Sequence, residues 1–311
     1  MHKKQFFKIN SYENTEQSNT SQNSFHTSKN TFYAGEYLNK KKNGKGRLIF
    51  SDKSFYEGNF KNDEFEGFGV FRTKKYVYEG QFSCGKKNGK GKLTNFIKNY
   101  EYEGEFKNDV KDGYGTEKYF DGSIYKGQFK NDLKEGKGKL ISKDKDNNRI
   151  EYIGEFKKDK LCGKGIINWS NQRQYYGELN NNEISGFGIL KDEKSKYVGY
   201  FKSDKKNGYG VTFYSEQNFA ILGKWINDNI EGIAVILSFN DNDIVNASID
   251  NKDEKIVNMK NGEIINISLS DDELDKVKES EEYKEMIKIY KCKILPEFQK
   301  NGNYYKTEED L

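Results

Sequence analysis

The sequence predicts an all-β fold: consecutive β-hairpins forming one single-layer antiparallel sheet, followed by a C-terminal helical segment. Three observations predict it. Tyr, Gly and Phe recur at every second position in stretches such as Tyr102-Glu103-Gly104-Glu105-Phe106, the period of a strand with one distinctive face. Lys107-Asn108-Asp109 follows, a turn composition, because Asn and Asp bond their own backbone and tolerate left-handed angles. Gly113-Tyr114-Gly115 then opens a second strand whose glycines share one face.

The same unit begins at Tyr33, Tyr56, Tyr78, Tyr102, Tyr125, Tyr152, Tyr175 and Tyr197, each with a glycine two residues later. A ninth, eroded copy surrounds Gly223, with Ile221 for Tyr and Trp225 for Phe. In all nine copies a second glycine stands nine residues beyond the first, from Gly35 and Gly44 to Gly223 and Gly232. The step from one copy to the next varies from 22 to 27 residues, the longest spanning Lys143 to Asn148. One loop is therefore held to length and the other is free. A register fixed by its turn explains the first, and a solvent-exposed connection the second.

Tyr-x-Gly-x-Phe followed by Gly-x-Gly at a period near 23 resembles the MORN repeat (membrane occupation and recognition nexus) over about residues 32–239. The departures are Tyr37 and Leu179 at the Phe position, and the ninth copy, where Ala234 also replaces the last glycine. A sheet of so many strands must twist or curl. The resemblance likewise implies an elongated sheet curved into a trough. For function it implies three uses: a scaffold in cytoskeletal, ciliary or membrane-associated assemblies, a membrane tether as in junctophilins, or an array ahead of an enzyme. The enzymes are SET-domain lysine methyltransferases and phosphatidylinositol phosphate kinases. Only 72 residues follow the array here, without histidine or a nucleotide signature, so a non-enzyme is expected.

Composition narrows the classes further. Hydrophobic residues are 33% and mean hydropathy is −1.02, but 22 Tyr and 22 Phe gather at the repeat positions, where large rings supply burial. One proline among 311 residues suits a long sheet, since proline removes ladder donors. No apolar run reaches the length of a membrane span, and no apolar signal core opens the chain, which predicts a cytoplasmic protein. Cys84, Cys162 and Cys292 are odd in number and widely spaced, the usage of reduced thiols rather than of disulfides or zinc ligands. His2 and His26 both precede the array. Gly-Lys-Gly recurs, as at 44–46 and 89–91, but no copy has the Gly-x-x-x-x-Gly-Lys-Ser/Thr of a phosphate loop. No metal, cofactor, nucleic acid or small-molecule substrate is expected.

In chain order, residues 1–31 are polar and read as a flexible tail. Residues 32–239 form the array, with Tyr, Gly and Phe on one face and residues such as Glu103 and Glu105 on the other. Residues 240–269 keep strand-like stretches, Ile244–Ile249 and Glu263–Leu269, around a turn at Lys260-Asn261-Gly262. In residues 270–311, Ser270-Asp271-Asp272-Glu273 is a capping box. It opens a helix that ends before Pro296 and packs against the sheet end, blunting an open edge. Tyr283, Met286, Ile287, Tyr290 and Ile294 share one helical face, while Leu274 and Val277 do not, so a kink or two short helices is expected.

The array carries 38 basic and 29 acidic side chains, and residues 240–311 carry 11 basic and 18 acidic. This permits an anionic partner such as phosphoinositide membrane, although the lysines are dispersed among acids. The sequence reading is a non-catalytic scaffold or adaptor for a protein partner, with anionic phospholipid as the alternative. A one-layer sheet leaves part of its ring surface open in the trough. The candidate partner site is therefore Tyr56, Phe60, Tyr78, Phe82, Tyr102, Phe106, Tyr125, Phe129, Tyr152 and Phe156, with an amphipathic helix as the preferred ligand.

Overall fold

Each hairpin is set by its turn. Asn62-Asp63, Asn108-Asp109 and Asn131-Asp132 all have positive φ at both residues (51° and 73°, 49° and 75°, 50° and 68°). That is the type I′ geometry whose twist matches two antiparallel strands. The second glycine of each repeat then takes a positive φ, 79° at Gly44 and 109° at Gly113, where the strand register slips. Turn plus slip is a construction of fixed length, which is why nine residues always separate the two glycines.

The structure, a computed structural model, describes residues 22–28, 31–214, 216–238, 255–266, 270–294 and 296. The chain divides into two units, Met1–Lys86 and Lys87–Leu311. The first holds β1 (Gln22–Ser28), β2 (Thr31–Leu38), β3 (Lys41–Phe50), β4 (Phe55–Lys61), β5 (Glu64–Arg72) and β6 (Tyr76–Ser83). These pair antiparallel in chain order.

The second unit continues the pattern with β7 (Lys86–Asn95), β8 (Tyr100–Lys107), β9 (Val110–Tyr119), β10 (Ile124–Lys130) and β11 (Leu133–Lys143). Then come β12 (Arg149–Lys157), β13 (Lys160–Trp169), β14 (Gln174–Asn180), β15 (Glu183–Lys191) and β16 (Ser195–Lys202). β17 (Lys205–Tyr214), β18 (Phe219–Ile226), β19 (Asn229–Ser238), β20 (Lys255–Lys260) and β21 (Glu263–Asn266) complete it. They too pair in order.

Within each unit the last glycine of every repeat faces the first glycine of its own and of the following repeat: Gly35↔Gly46↔Gly58↔Gly69, and Gly104↔Gly115↔Gly127↔Gly138. A row of glycines thus crosses the sheet. The repeat tyrosine lies flat over it: a Cβ at Gly46 would come within 2.4 Å of the Tyr33 hydroxyl. The ninth copy supports this reading. There Ile221 replaces the tyrosine, and Ala234, fully buried, occupies the glycine row opposite Gly223. Once the ring is gone, a methyl group fits.

β1 lies inside the segment read as a flexible tail and pairs with β2 from Gln22↔Tyr37 to Ser28↔Thr31; main-chain pairing needs no apolar pattern and covers an edge that β2 would leave open. The expected strand Ile244–Ile249 lies outside the described residues, as do the last three residues of Glu263–Leu269.

The C-terminal segment forms two helices, α1 (Asp271–Glu279) and α2 (Glu281–Ile289), and a π-helical turn, Tyr290–Ile294. The capping box is made, with Ser270 and Glu273 bonded reciprocally. The segment lies on a face of the sheet, however, not across its end. Tyr283, Met286, Tyr290 and Ile294 pack against Ile189, Val198, Val211, Leu222, Val235 and Ile256. Those residues alternate with the tyrosine row, so the helices cover the opposite side of the sheet from the rings. A row of aliphatic residues offers a helix far more burial than a strand edge does.

Candidate binding surfaces

The tyrosine face is a core built by the sheet alone. Where phenylalanine holds its position, the ring meets edge-on that of its own repeat and of the next: Tyr56 with Phe60 and Phe82, both at 5.1 Å, and Tyr102 with Phe106 at 5.1 Å and Phe129 at 5.0 Å. Its hydroxyl donates to the carbonyl three residues on, as from Tyr102 to Glu105 at 2.9 Å and from Tyr152 to Glu155 at 2.8 Å. Burial pushes the phenols up, to about 12 for Tyr33.

The ten aromatic positions named from sequence are brought together here, and each is at most 5% exposed. The expectation that their ring surface stays open in a trough is therefore corrected. The rings lie down along the glycine row instead of standing up from it, and other side chains close over them.

Those covering side chains are what sequence reasoning missed. They stand two residues before the second glycine: Lys42, Phe65, Lys87, Lys111, Lys134, Leu161, Ile184, Lys206 and Ile230. Phe65 stacks on Tyr56 at 3.8 Å. Lysines do the same work with their stems and ammonium groups. The Lys111 Nζ lies 4.8 Å from the Tyr100 ring centre and 5.0 Å from that of Phe129, and Lys206 Nζ lies 4.4 Å from that of Trp225. Burial lowers the pKa of Lys87 and Lys206 below the usual lysine value, against the pull of Asp109 and Asp228 respectively.

The same residue is clamped by the next repeat's turn. Lys87 N donates to the Asp109 carboxylate at 2.9 Å, and Asp109 N donates back to the Lys87 carbonyl at 3.0 Å. Lys42 with Asp63, Lys111 with Asp132, and Ile184 with Asp204 repeat the bond. The turn aspartate thus fixes its own hairpin and joins it to the preceding one.

One copy adds a buried charge. Glu117 stands in a row otherwise held in this unit by Leu93, Leu140, Ile167 and Leu190, with Thr212 following. Its carboxylate accepts from Lys111 Nζ at 2.5 Å and from the Tyr119 hydroxyl, and Lys134 Nζ stands 3.4 Å away. Burial alone would raise its pKa, but the Lys111 charge and these bonds outweigh burial and hold the group below the usual carboxylate range.

The opposite face has a different grammar. Following the pairing from β7, successive residues of one row are Lys92, Glu103, Thr116, Lys126 and Lys139, then Ile153, Ile166, Tyr176, Ile189, Val198, Val211, Leu222, Val235 and Ile256. The row turns from polar to apolar at β12. Cross-strand ion pairs such as Lys92–Glu101 at 3.1 Å and Lys139–Glu151 at 3.3 Å hold the polar part. The helices α1 and α2 take the far apolar part.

No cluster of His, Cys, Asp and Glu suited to a metal ion occurs among the described residues. The three cysteines are free thiols, Cys84 and Cys292 exposed and Cys162 partly buried. No described helix is long and apolar enough to cross a membrane.

The tyrosine–glycine lattice recurs with one geometry in the complete copies that lie within one unit, and comparison with known families agrees: the MORN repeat family matches residues 33–55, 56–75, 78–95, 102–124, 125–147, 152–172, 175–194 and 197–218. The chain is a MORN-repeat protein. The eight matched MORN repeats end at the hairpin β16–β17; the ninth copy, β18–β19, keeps the fold without the match. A search of curated proteins finds no match to the chain.

Proposed function

We propose that this MORN-repeat protein is a non-catalytic scaffold that holds a protein partner in a cytoplasmic, cytoskeletal, ciliary or membrane-associated assembly. One observation carries the reading. The residues that recur, Tyr, Gly, Phe and the turn Asp, are consumed in building the sheet, and the rings at the repeat positions are buried. The side chains of the opposite face are released from that duty and differ from copy to copy: Arg47, Glu57, Lys92, Glu103, Thr116 and Lys126. A constant frame under a varied surface is the composition of a recognition array.

The lipid alternative is weaker, because the array's basic charge is dispersed among acids and part of it is engaged. Lys111 and Lys134 lie over rings, and Lys42, Lys92 and Lys139 are paired with carboxylates. Affinity capture of the full chain from its source cells with chemical cross-linking tests the reading. A reproducible stoichiometric protein partner is expected. Failure to capture one, together with phosphoinositide-dependent vesicle binding that survives physiological salt, would reverse it.

A further inference from the structure

The apolar row under the C-terminal helices does not stop where the helices stop. Tyr176 borders the helix-covered cluster, and Lys293 at the end of the helical segment reaches the electrostatic range of Glu178 on the same strand β14. Beyond it the row continues through Ile166 on β13 and Ile153 on β12. It then steps two residues along the strands, staying on the same face, to Ile141 on β11 and Ile124 on β10, which face each other. All four isoleucines are partly exposed. The stripe crosses five strands, roughly 19 Å at the usual inter-strand spacing.

We propose that this stripe, Ile124–Ile141–Ile153–Ile166–Tyr176, is a docking site for an amphipathic helix of a partner protein. The occupant is argued from continuity. The same face, carrying the same kind of side chains, already binds amphipathic helix over β15–β20, where Met286, Tyr290 and Ile294 fill it. A partner helix would prolong that interface end to end, presenting apolar residues at i, i+3, i+4 and i+7. About 13 residues of helix span the stripe. At its far end Lys126 flanks the stripe, while Lys139 is already paired with Glu151; an acidic residue at the N-terminal end of the partner helix, where the helix dipole favours it, suits Lys126. The proposal rests on the scaffold reading and gives it a partner class and a place.

The test uses the full chain and a fluorescein-labelled, hydrocarbon-stapled peptide with leucines at that spacing and glutamates at its N-terminal end. Fluorescence anisotropy should report saturable binding that Ile141→Glu or Ile153→Glu weakens by about tenfold or more, with circular dichroism and the melting midpoint unchanged. The peptide with its leucines changed to serine should not bind. Where a glutamate perturbs the fold, Ile153→Thr keeps the β-branched shape and serves instead.

No binding, or binding indifferent to Ile153, overturns the proposal. So does tighter binding to a chain ended after Pro296, which would make residues 297–311 the occupant. A concentration-dependent dimer that Ile153→Glu dissolves would make the occupant a second copy. Loss of phosphatidylserine-vesicle binding in the same variant would make it a membrane. A captured partner that Ile153→Glu still holds leaves the scaffold reading standing and removes only this site. Peptide binding without any captured protein does the reverse.

Discussion

The ring of Tyr102 lies on Gly115 of the neighbouring strand so closely that a Cβ there would stand 2.4 Å from its Cε2. The tyrosine cannot lift away cheaply, since it is fully buried and its hydroxyl donates to the Glu105 carbonyl. Gly115→Ala should therefore lower stability by about 1–3 kcal/mol, the usual cost of overpacking. Adding Tyr102→Leu to that variant should recover part of the loss, as the Ile221–Ala234 pairing of the ninth copy already does naturally. Urea titrations of the parent, Gly115→Ala, Tyr102→Leu and the double variant check this; additive losses would mean that ring and methyl do not collide.

The turn clamp is tested at Asp109. Its φ of 75° is left-handed, and its carboxylate caps Lys87 N in the preceding hairpin. Asn182 does both jobs in a later copy, donating to the Leu161 carbonyl and accepting from Leu161 N. Asp109→Asn should be close to neutral, whereas Asp109→Ala should cost about 1–2 kcal/mol through the lost cap bond and a strained φ. Equal losses in both variants would show that charge rather than bonding geometry matters.

These two relationships also mark what the sequence disclosed. Tyr and Gly are visible because one residue type serves every matched copy, with Asn or Asp at most of the turns, and so the hairpins and their order were legible. The covering position was not, because Lys111, Phe65 and Ile184 do one job with unlike chemistry. The helix site was hidden for a different reason. Ile153, Ile166 and Tyr176 belong to strands of two repeats, and they form a row only after the register is known. Read along the chain, each stands beside a residue of the opposite, tyrosine-bearing face, as Ile153 beside Tyr152 and Tyr176 beside Tyr175, and is not set apart from it. The aromatic rings misled in the other direction: periodicity shows that they share a face, but not that they lie flat and are covered.

Glu117 should be the most sensitive charge in the array. Glu117→Gln leaves Lys111, itself 6% exposed, buried without its anion. The expected loss is about 3–5 kcal/mol. Lys111→Leu with Glu117→Leu should instead be neutral or stabilising, because Leu161 occupies the first position two copies on and Leu140 the second in the next copy. Thermal and urea unfolding of the single and double variants decide it; a double variant as weak as the single one would show that the pair contributes more than a packed leucine pair.

Alkaline pH should unfold the protein sharply. Phenols buried in the tyrosine lattice titrate higher when folded than when unfolded, about 12 for Tyr33 against 10.0. Each thus contributes stability that is intact below the unfolded value and is lost as pH rises through the folded one. The lowered Lys87 and Lys206 act in the opposite sense, but their effect is complete as pH reaches the unfolded lysine value of 10.5, and most of the phenol loss lies above it. The urea midpoint should stay level up to pH 10 and then fall toward pH 12, where ionised phenol absorbance and unfolding should appear together. Phenol ionisation well ahead of unfolding would show that the rings are open to solvent.

The helix–sheet interface can be separated from the array by position. Tyr283, Met286, Tyr290 and Ile294 enter the apolar row over β15–β20, and Met286 is fully buried. Met286→Ala should cost about 2–5 kcal/mol of local stability, the range for emptying a large core side chain. Each hairpin leans chiefly on its neighbours, so the loss should concentrate in the copies beneath the helices. The chain's two tryptophans allow this to be seen, since Trp225 lies on β18 under the helical segment's strands and Trp169 lies on β13 outside them. In Trp169→Phe and Trp225→Phe backgrounds respectively, Met286→Ala should shift the Trp225 fluorescence transition to clearly lower urea and the Trp169 transition by less. Equal shifts at both probes would mean that the unit unfolds as one cooperative block. No shift at either would mean that the helices add nothing to the sheet they cover.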